Sequence, residues 1–397
     1  MKRIPLIIVL SFSLIFISTY FEGTTRIASN LFKISLVLGL FYLCKKRECY
    51  LSKILLISII FLFYNFISVF FTEKIQLSLI NKHFTYSLYI LLFIYILGGM
   101  YLYFNLYKER VKYLLLIPVF CALISIIYFL LDGDTGRLVS SFKSVHPIHD
   151  ATLFSIPSVY IIYQFKFKNS PLTSWILAIC LLILEYCIML SSSRSVILSI
   201  STLTFLFCII VKDKRASVPL MTILISFTLY KLTGVFLSDS QITHFESMQQ
   251  LLGRSDAGRL TLWRHMISEM SMCDLIFGKG FLFNHSFVEK MGSAFVHPHS
   301  AFMHSLFHGG LILLSFHILM LVEVFKTGYQ EYKVTGDFFL VLFAVSSLAP
   351  MLFNGIAIYG VDDRFNELVM LFWIMIGISI HKEKKMLGLR RVFKNEI

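Results

Sequence analysis

Hydrophobic positions along this chain come in blocks. Long apolar runs follow one another, separated by polar segments, as in helices that lie in lipid rather than at a water-facing surface. A spanning helix needs about 20 mostly apolar residues, and about twelve such stretches can be marked. They fall at 4–20, 27–44, 54–71, 84–104, 113–131, 150–165, 173–190, 195–211, 218–237, 301–325, 337–355 and 366–381. The pattern predicts an all-α, polytopic membrane protein. The first stretch follows Lys2 and Arg3 as a signal peptide would, but bulky residues at Ser18–Glu22 leave no small-x-small cleavage site, which predicts a retained helix.

The polar segments are unequal. Those at 21–26, 72–83 and 356–365 are short, 132–149 is of middling length, and 238–300 is by far the longest. The predicted organisation is a transmembrane bundle over 1–237, a long loop with an amphipathic helix over 238–300, further spanning helices over 301–381, and a basic tail over 382–397. Inside the loop, Asp256 is a candidate N-cap. Leu260, Trp263, Ile267 and Met270 form a stripe at i, i+3, i+7 and i+10, predicted to lie on the bilayer or the bundle. Gly278-Lys279-Gly280 should end that helix, and Pro298 precedes the next span.

Composition agrees with the blocks: 57% of the 397 residues are hydrophobic, 40 are Phe, and the mean hydropathy is +0.77. The net charge of +13 is mainly a topology signal. With the N-terminus inside, the clusters Lys45-Lys46-Arg47, Lys108/Arg110/Lys112, Lys166/Lys168, Lys212/Lys214/Arg215, Lys326/Lys333 and the tail all fall on the cytoplasmic side. The long loop then faces outward. A nucleic-acid partner is not expected, because no soluble basic domain presents one. Seven cysteines, of which only Cys273 is placed outside, offer no intramolecular disulfide framework.

Chemistry-bearing residues gather on that outer side. Arg194 sits among Ser191, Ser192, Ser193 and Ser195 at the junction of two apolar runs. An interface anchor is the ordinary role of such an arginine, but here the hydroxyls and guanidinium together suit a phosphate. Arg259 and Arg264, in the long loop, could add bidentate forks or could be solvated charges. His299, after Pro298, is a candidate general base for a sugar hydroxyl. His304 and His308 read as packing residues. His297 with His299 lacks the carboxylate-bearing zinc patterns, and Asp132-Gly133-Asp134 reads as turn chemistry, so no metal is expected. Arg137 could supply a further phosphate contact or anchor a headgroup. No nucleotide-binding loop, nucleophile elbow or metalloprotease helix is present, and no cofactor is expected.

Ser191-Ser192-Ser193-Arg194-Ser195, then Gly258-Arg259-Leu260-Thr261-Leu262-Trp263 opening a long loop, then His297-Pro298-His299-Ser300 before Gly309-Gly310, resemble the O-antigen ligase and polymerase superfamily. The specific motifs occupy about 190–312, and one departure is Ser300 where ligases commonly carry Asn. For the ligase, the resemblance implies a metal-independent membrane glycosyltransferase of the C type (GT-C) in the bacterial inner membrane, its active site facing the periplasm. It would move O-antigen, with inversion, from undecaprenyl diphosphate to lipid A–core. Carried over by motif, Arg194 and Arg259 would hold the diphosphate and His299 would activate the acceptor hydroxyl. Arg137 and Arg264 follow by position.

Two other readings stand beside it. A polysaccharide polymerase would use the same lipid-linked donor with a second lipid-linked unit as acceptor. A carrier for lipid-linked sugars would place charges along a central cavity between matched halves, whereas these charges crowd one face and no internal repeat is found.

Overall fold

The computed structural model describes residues 25–46, 51–71, 77–111, 116–132, 138, 147–167, 170–233, 259–280, 300–353 and 367–395. Among them there is no strand. The helices are α1 (Thr25–Lys46), α2 (Lys53–Ser68, continued by a 3-10 turn to Phe71), α3 (Leu77–Val111), α4 (Leu116–Asp132), α5 (Pro147–Gln164), α6 (Pro171–Leu190) and α7 (Arg194–Val211). There follow α8 (Ser217–Leu232), α9 (Arg259–Ser268), α10 (Met272–Phe277), α11 (Ala301–Thr335), α12 (Phe339–Phe353) and α13 (Glu367–Asn395). Every predicted apolar stretch has its helix except the first, which lies outside the described residues. Among the described residues, five helices are long and apolar enough to cross a membrane: Lys53–Phe71, Ile80–Gly99, Pro171–Leu190, Arg194–Val211 and Ala301–Thr335. The protein is an all-helical, polytopic membrane protein.

Local chemistry sets the helix ends. Ser52 and Ser170 cap α2 and α6 through their side chains, and Pro171 occupies the first turn of α6, where a missing N–H costs nothing. Within α12, Pro350 has no N–H for the Ser346 carbonyl one turn back. The Ser199 hydroxyl of α7 bonds that carbonyl instead, which joins the two helices.

Pair contacts fix the helix directions. Phe207 of α7 meets Phe338 at the start of α12 (ring centroids 6.1 Å), and Ser199 meets Ser346 further along, so α7 and α12 are antiparallel. Gly336 turns α11 back into α12 in the left-handed conformation (φ 68°). Helix α7 is therefore parallel to α11, and Arg194 and Ser300 stand at one end of the bundle. Helix α2 runs against α11, pairing Lys53 with Glu323, Ser58 with Met320 (3.5 Å) and Phe61 with His317 (6.4 Å). Its C-terminal end shares the end where α11 begins.

Helix α11 departs from the single span expected over 301–325. It runs to Thr335 and breaks at Gly310, whose φ of 64° and ψ of −164° are open only to glycine. The break strips the Phe307 and His308 carbonyls of their usual helical donors. Lys279 N–H bonds the first (2.9 Å) and Gly280 N–H the second (3.1 Å), while the His308 ring donates from Nδ1 back to the Gly280 carbonyl (2.9 Å). His308, expected to serve helix packing, thus clasps the long polar segment to α11.

Candidate functional site

Four serines surround Arg194, and the fold uses them differently. Ser191 ends α6 and turns its hydroxyl onto the Ile188 carbonyl (2.6 Å). Ser192 takes a left-handed φ of 52°, a strained state for a serine, and its hydroxyl meets Tyr230 Oη of α8 at 3.3 Å. Ser193 is the N-cap of α7 by position but makes no side-chain cap bond. The hydroxyls of Ser193 and Ser195 are buried, at 2% and 5% exposure, and have no hydrogen-bond partner among the described residues.

Arg194 is the first residue of α7 and is half-buried. A helix N-terminus already carries partial positive charge, so a cation there is unfavourable by roughly 0.3–1 kcal/mol unless an anion accompanies it. The guanidinium, the helix end and two uncommitted hydroxyls form a concentrated set of donors, suited to phosphate oxygens. The neighbouring end of α6 is closed from another part of the chain. The Leu138 N–H bonds the Leu190 carbonyl at 3.0 Å, and Leu138 is fully buried. Arg137, peptide-bonded to Leu138, itself lies outside the described residues.

Arg259 opens α9, is half-buried, and its Nε is shielded from solvent. Helix α9 docks on α11 through Leu262 and Met266, which pack with Phe307 and are supported by Trp263 and Met270. The expected stripe is divided between two surroundings. Trp263 and Met270 do face the bundle, but Leu260 and Ile267 are exposed, and the docking face is instead the i, i+4 pair at 262 and 266. Because α9 seats in the first turns of α11, Arg259 belongs to the same end of the bundle as Arg194. Arg264 is exposed on the flank of α9.

His299 and His297 lie outside the described residues, as does the proposed cap Asp256. The residue bonded to His299 is Ser300, the first described residue of this stretch. Ser300 is buried and accepts the Met303 N–H in its side chain (3.4 Å), as the N-cap of α11. Among the described residues no group of three or more His, Cys, Asp or Glu is placed to hold a metal ion. A hollow between α5 and α12, lined by Thr152, Ser155, Ser346 and Ser347, holds only about 20 Å³, room for a water rather than a sugar.

Sequence inspection treated the serines as equivalent and missed Leu262, Met266 and the clasp by His308. The Gly309-Gly310 doublet was the available signal for the clasp. Residues 177–318 match the family model described as O-antigen ligase. No curated protein matches the chain. The matched stretch holds Arg194, Arg259, Arg264, His299 and the glycine doublet, while Arg137 precedes it. The match covers little more than a third of the chain, and it spans the motifs that resemble that superfamily.

Proposed function

We propose that this protein belongs to the O-antigen ligase superfamily and is itself a ligase, moving O-antigen polysaccharide from undecaprenyl diphosphate to lipid A–core at the periplasmic face of the inner membrane. The observation that carries the reading is the N-terminus of α7, where Arg194 and the uncommitted Ser193 and Ser195 hydroxyls crowd the positive end of a helix. That end is also where α11 starts at Ser300, one peptide bond from His299. The bundle keeps its basic clusters at the other end, around Lys53, Lys166, Arg215 and Lys382, which supports an outward-facing site.

In this mechanism the donor carries its own activation, so neither nucleotide nor cofactor is consumed. Arg194 and Arg259, with Arg137 and Arg264 at the periphery, hold the diphosphate and offset the charge that grows as the glycosyl–phosphate bond breaks. His299 takes the proton from the acceptor hydroxyl as that oxygen attacks the anomeric carbon from the opposite side, with inversion. A GT-C-type architecture of about twelve spanning helices, with 238–300 as an external loop over the site, would bring the two lipid-linked substrates together.

The test is transfer from a synthetic undecaprenyl diphosphate glycan to rough lipopolysaccharide by the purified full-length chain. Arg194→Ala and His299→Ala are each expected to lower the rate by about a hundredfold or more, with normal amounts of protein in the membrane. Wild-type rates in both would remove the proposal. A deletion strain separates the two acceptors. Loss of a ligase leaves polymer accumulating on the carrier lipid, whereas loss of a polymerase leaves core bearing a single unit.

A further inference from the structure

The segment around α10 belongs to the long external loop that the sequence predicts over 238–300. Two helices place it deeper than that. Its carbonyl and amide partners on α11 are Phe307 and His308, seven and eight residues past the N-cap Ser300, or about 10–12 Å along the helix. Independently, the Phe277 carbonyl accepts the Tyr64 hydroxyl of α2 (3.2 Å), and Tyr64 lies seven residues, about 10 Å, short of the end of that span at Phe71.

The bonding of the segment has the character required away from water. Gly278 N–H bonds the Asp274 carbonyl (2.7 Å), and Lys279 N–H, Gly280 N–H and the Gly280 carbonyl are all bonded to α11. Ser271 and Asp274 form a reciprocal capping box that satisfies the start of α10. Asp274 and Lys279, the charged residues of the segment, face each other at 3.9 Å. The fit is backbone on backbone: a Cβ at Gly278 would stand 2.2 Å from the His308 oxygen, and one at Gly310 2.2 Å from the Ile276 oxygen.

The opposite side of α10 is apolar and uncovered. Met272 is 77% exposed, Phe277 44% and Ile276 41%. This surface is continuous with the lipid-facing sides of its neighbours. Phe71, itself exposed, touches Tyr64 (ring centroids 6.5 Å), which bonds Phe277, and exposed Leu311 follows Gly310, which lies against Ile276. We propose that residues 271–280 are a re-entrant part of the membrane domain, clasped to broken α11, with Met272, Ile276 and Phe277 resting among lipid acyl chains on the site's side of the bilayer. The occupant of this face is lipid hydrocarbon, since an apolar belt running unbroken onto two spanning helices is the surface that acyl chains cover. The proposal depends on the membrane assignment and not on the glycosyl-transfer reading.

Full-length protein in phosphatidylethanolamine/phosphatidylglycerol vesicles provides the test, read by thiol labelling rather than activity. Met272→Cys and Ile276→Cys, in a Cys273→Ser background, are compared with His265→Cys and Ser268→Cys on the polar flank of α9. A charged maleimide should label the first pair at least tenfold more slowly than the second, and a fluorophore attached at 272 or 276 should be quenched by nitroxide placed on the acyl chains. Equal labelling rates would put the segment in water and overturn the proposal. Slow labelling without acyl-chain quenching would mean that protein covers the face, which overturns it equally. Native Cys273, exposed on α10, gives the same reading in otherwise unaltered protein once the Cys273→Ser signal is subtracted, so a misfolded variant cannot decide the outcome.

Discussion

At the scale of single residues, the informative contrast lies among serines of identical type. Ser191 and Ser192 spend their hydroxyls on the fold, whereas Ser193 and Ser195 keep theirs enclosed and uncommitted beside Arg194. Removing an unused hydroxyl should not weaken the fold, but would cost the ligand a hydrogen bond. A bond to a charged group is worth about 1.5–3 kcal/mol, which corresponds to about tenfold or more in donor affinity. Ser193→Ala and Ser195→Ala are therefore expected to raise the donor KM about tenfold each while leaving the melting temperature unchanged. Ser191→Ala should do the reverse, lowering stability by about 1 kcal/mol and sparing KM. Calorimetry and donor titration on the same preparations check both halves. The motif Ser-Ser-Ser-Arg-Ser was legible in the sequence, but the division of labour was not. It is set by the left-handed φ of Ser192, a backbone choice that residue type alone does not encode.

Among the elements, α11 shows what hydropathy cannot see. Its apolar run is continuous across Gly309-Gly310, so a single span was expected, yet Gly310 breaks the helix and hands two carbonyls to the 278–280 segment. Hydropathy reports burial in lipid and is blind to φ. Two glycines of nearly equal φ allow packing to be weighed against conformation. Gly310 (φ 64°) has the Ile276 carbonyl within 2.2 Å of a built Cβ, whereas Gly336 (φ 68°) has nothing within 4 Å. Gly336→Ala should cost only the left-handed penalty, about 1–2 kcal/mol. Gly310→Ala must also push the docked segment away, and is expected to lower the melting temperature much further and to expose 271–280 to protease. The N-cap gives a gentler perturbation. Ser and Asn cap helices about equally well, so the Ser300 of this chain keeps the role that Asn would have there. Ser300→Asn should retain activity, while Ser300→Ala should cost about 1 kcal/mol and lower the transfer rate by loosening the chain at His299.

Across the whole molecule, the two ends of the bundle are built for opposite purposes. One end holds the enclosed but uncommitted donors. The other is locked by ion pairs between largely buried groups, although Glu331 Oε2 keeps no hydrogen-bond partner among the described residues. Lys382 of α13 reaches Glu331 of α11 at 2.5 Å and Asp337 at 3.1 Å, the Tyr163 hydroxyl of α5 donates to Asp337 at 2.8 Å, and Lys166 bonds the Gly336 carbonyl. The clustering of basic residues at one end was legible from the sequence, because lysine and arginine counts alone set it. Their pairing was not, since it joins residues from three distant stretches. Burial alone would raise the Asp337 carboxyl, but Lys382, the Phe339 N–H and the Tyr163 hydroxyl together hold it below its ordinary value of 3.8. The stabilisation it brings is therefore complete above that value and is lost as pH falls through the lower, folded-state value. Lys382→Met leaves Glu331 buried without its counter-charge, and breaking such a pair costs about 3–5 kcal/mol. The expected result is a marked fall in melting temperature at neutral pH that narrows in strong acid, where wild type loses the Asp337 contribution as well. Because this lock stands at the far end from Arg194, surviving protein assayed at low temperature should transfer sugar at the wild-type rate. A variant that instead kept its stability but lost transfer would show that the two ends are coupled.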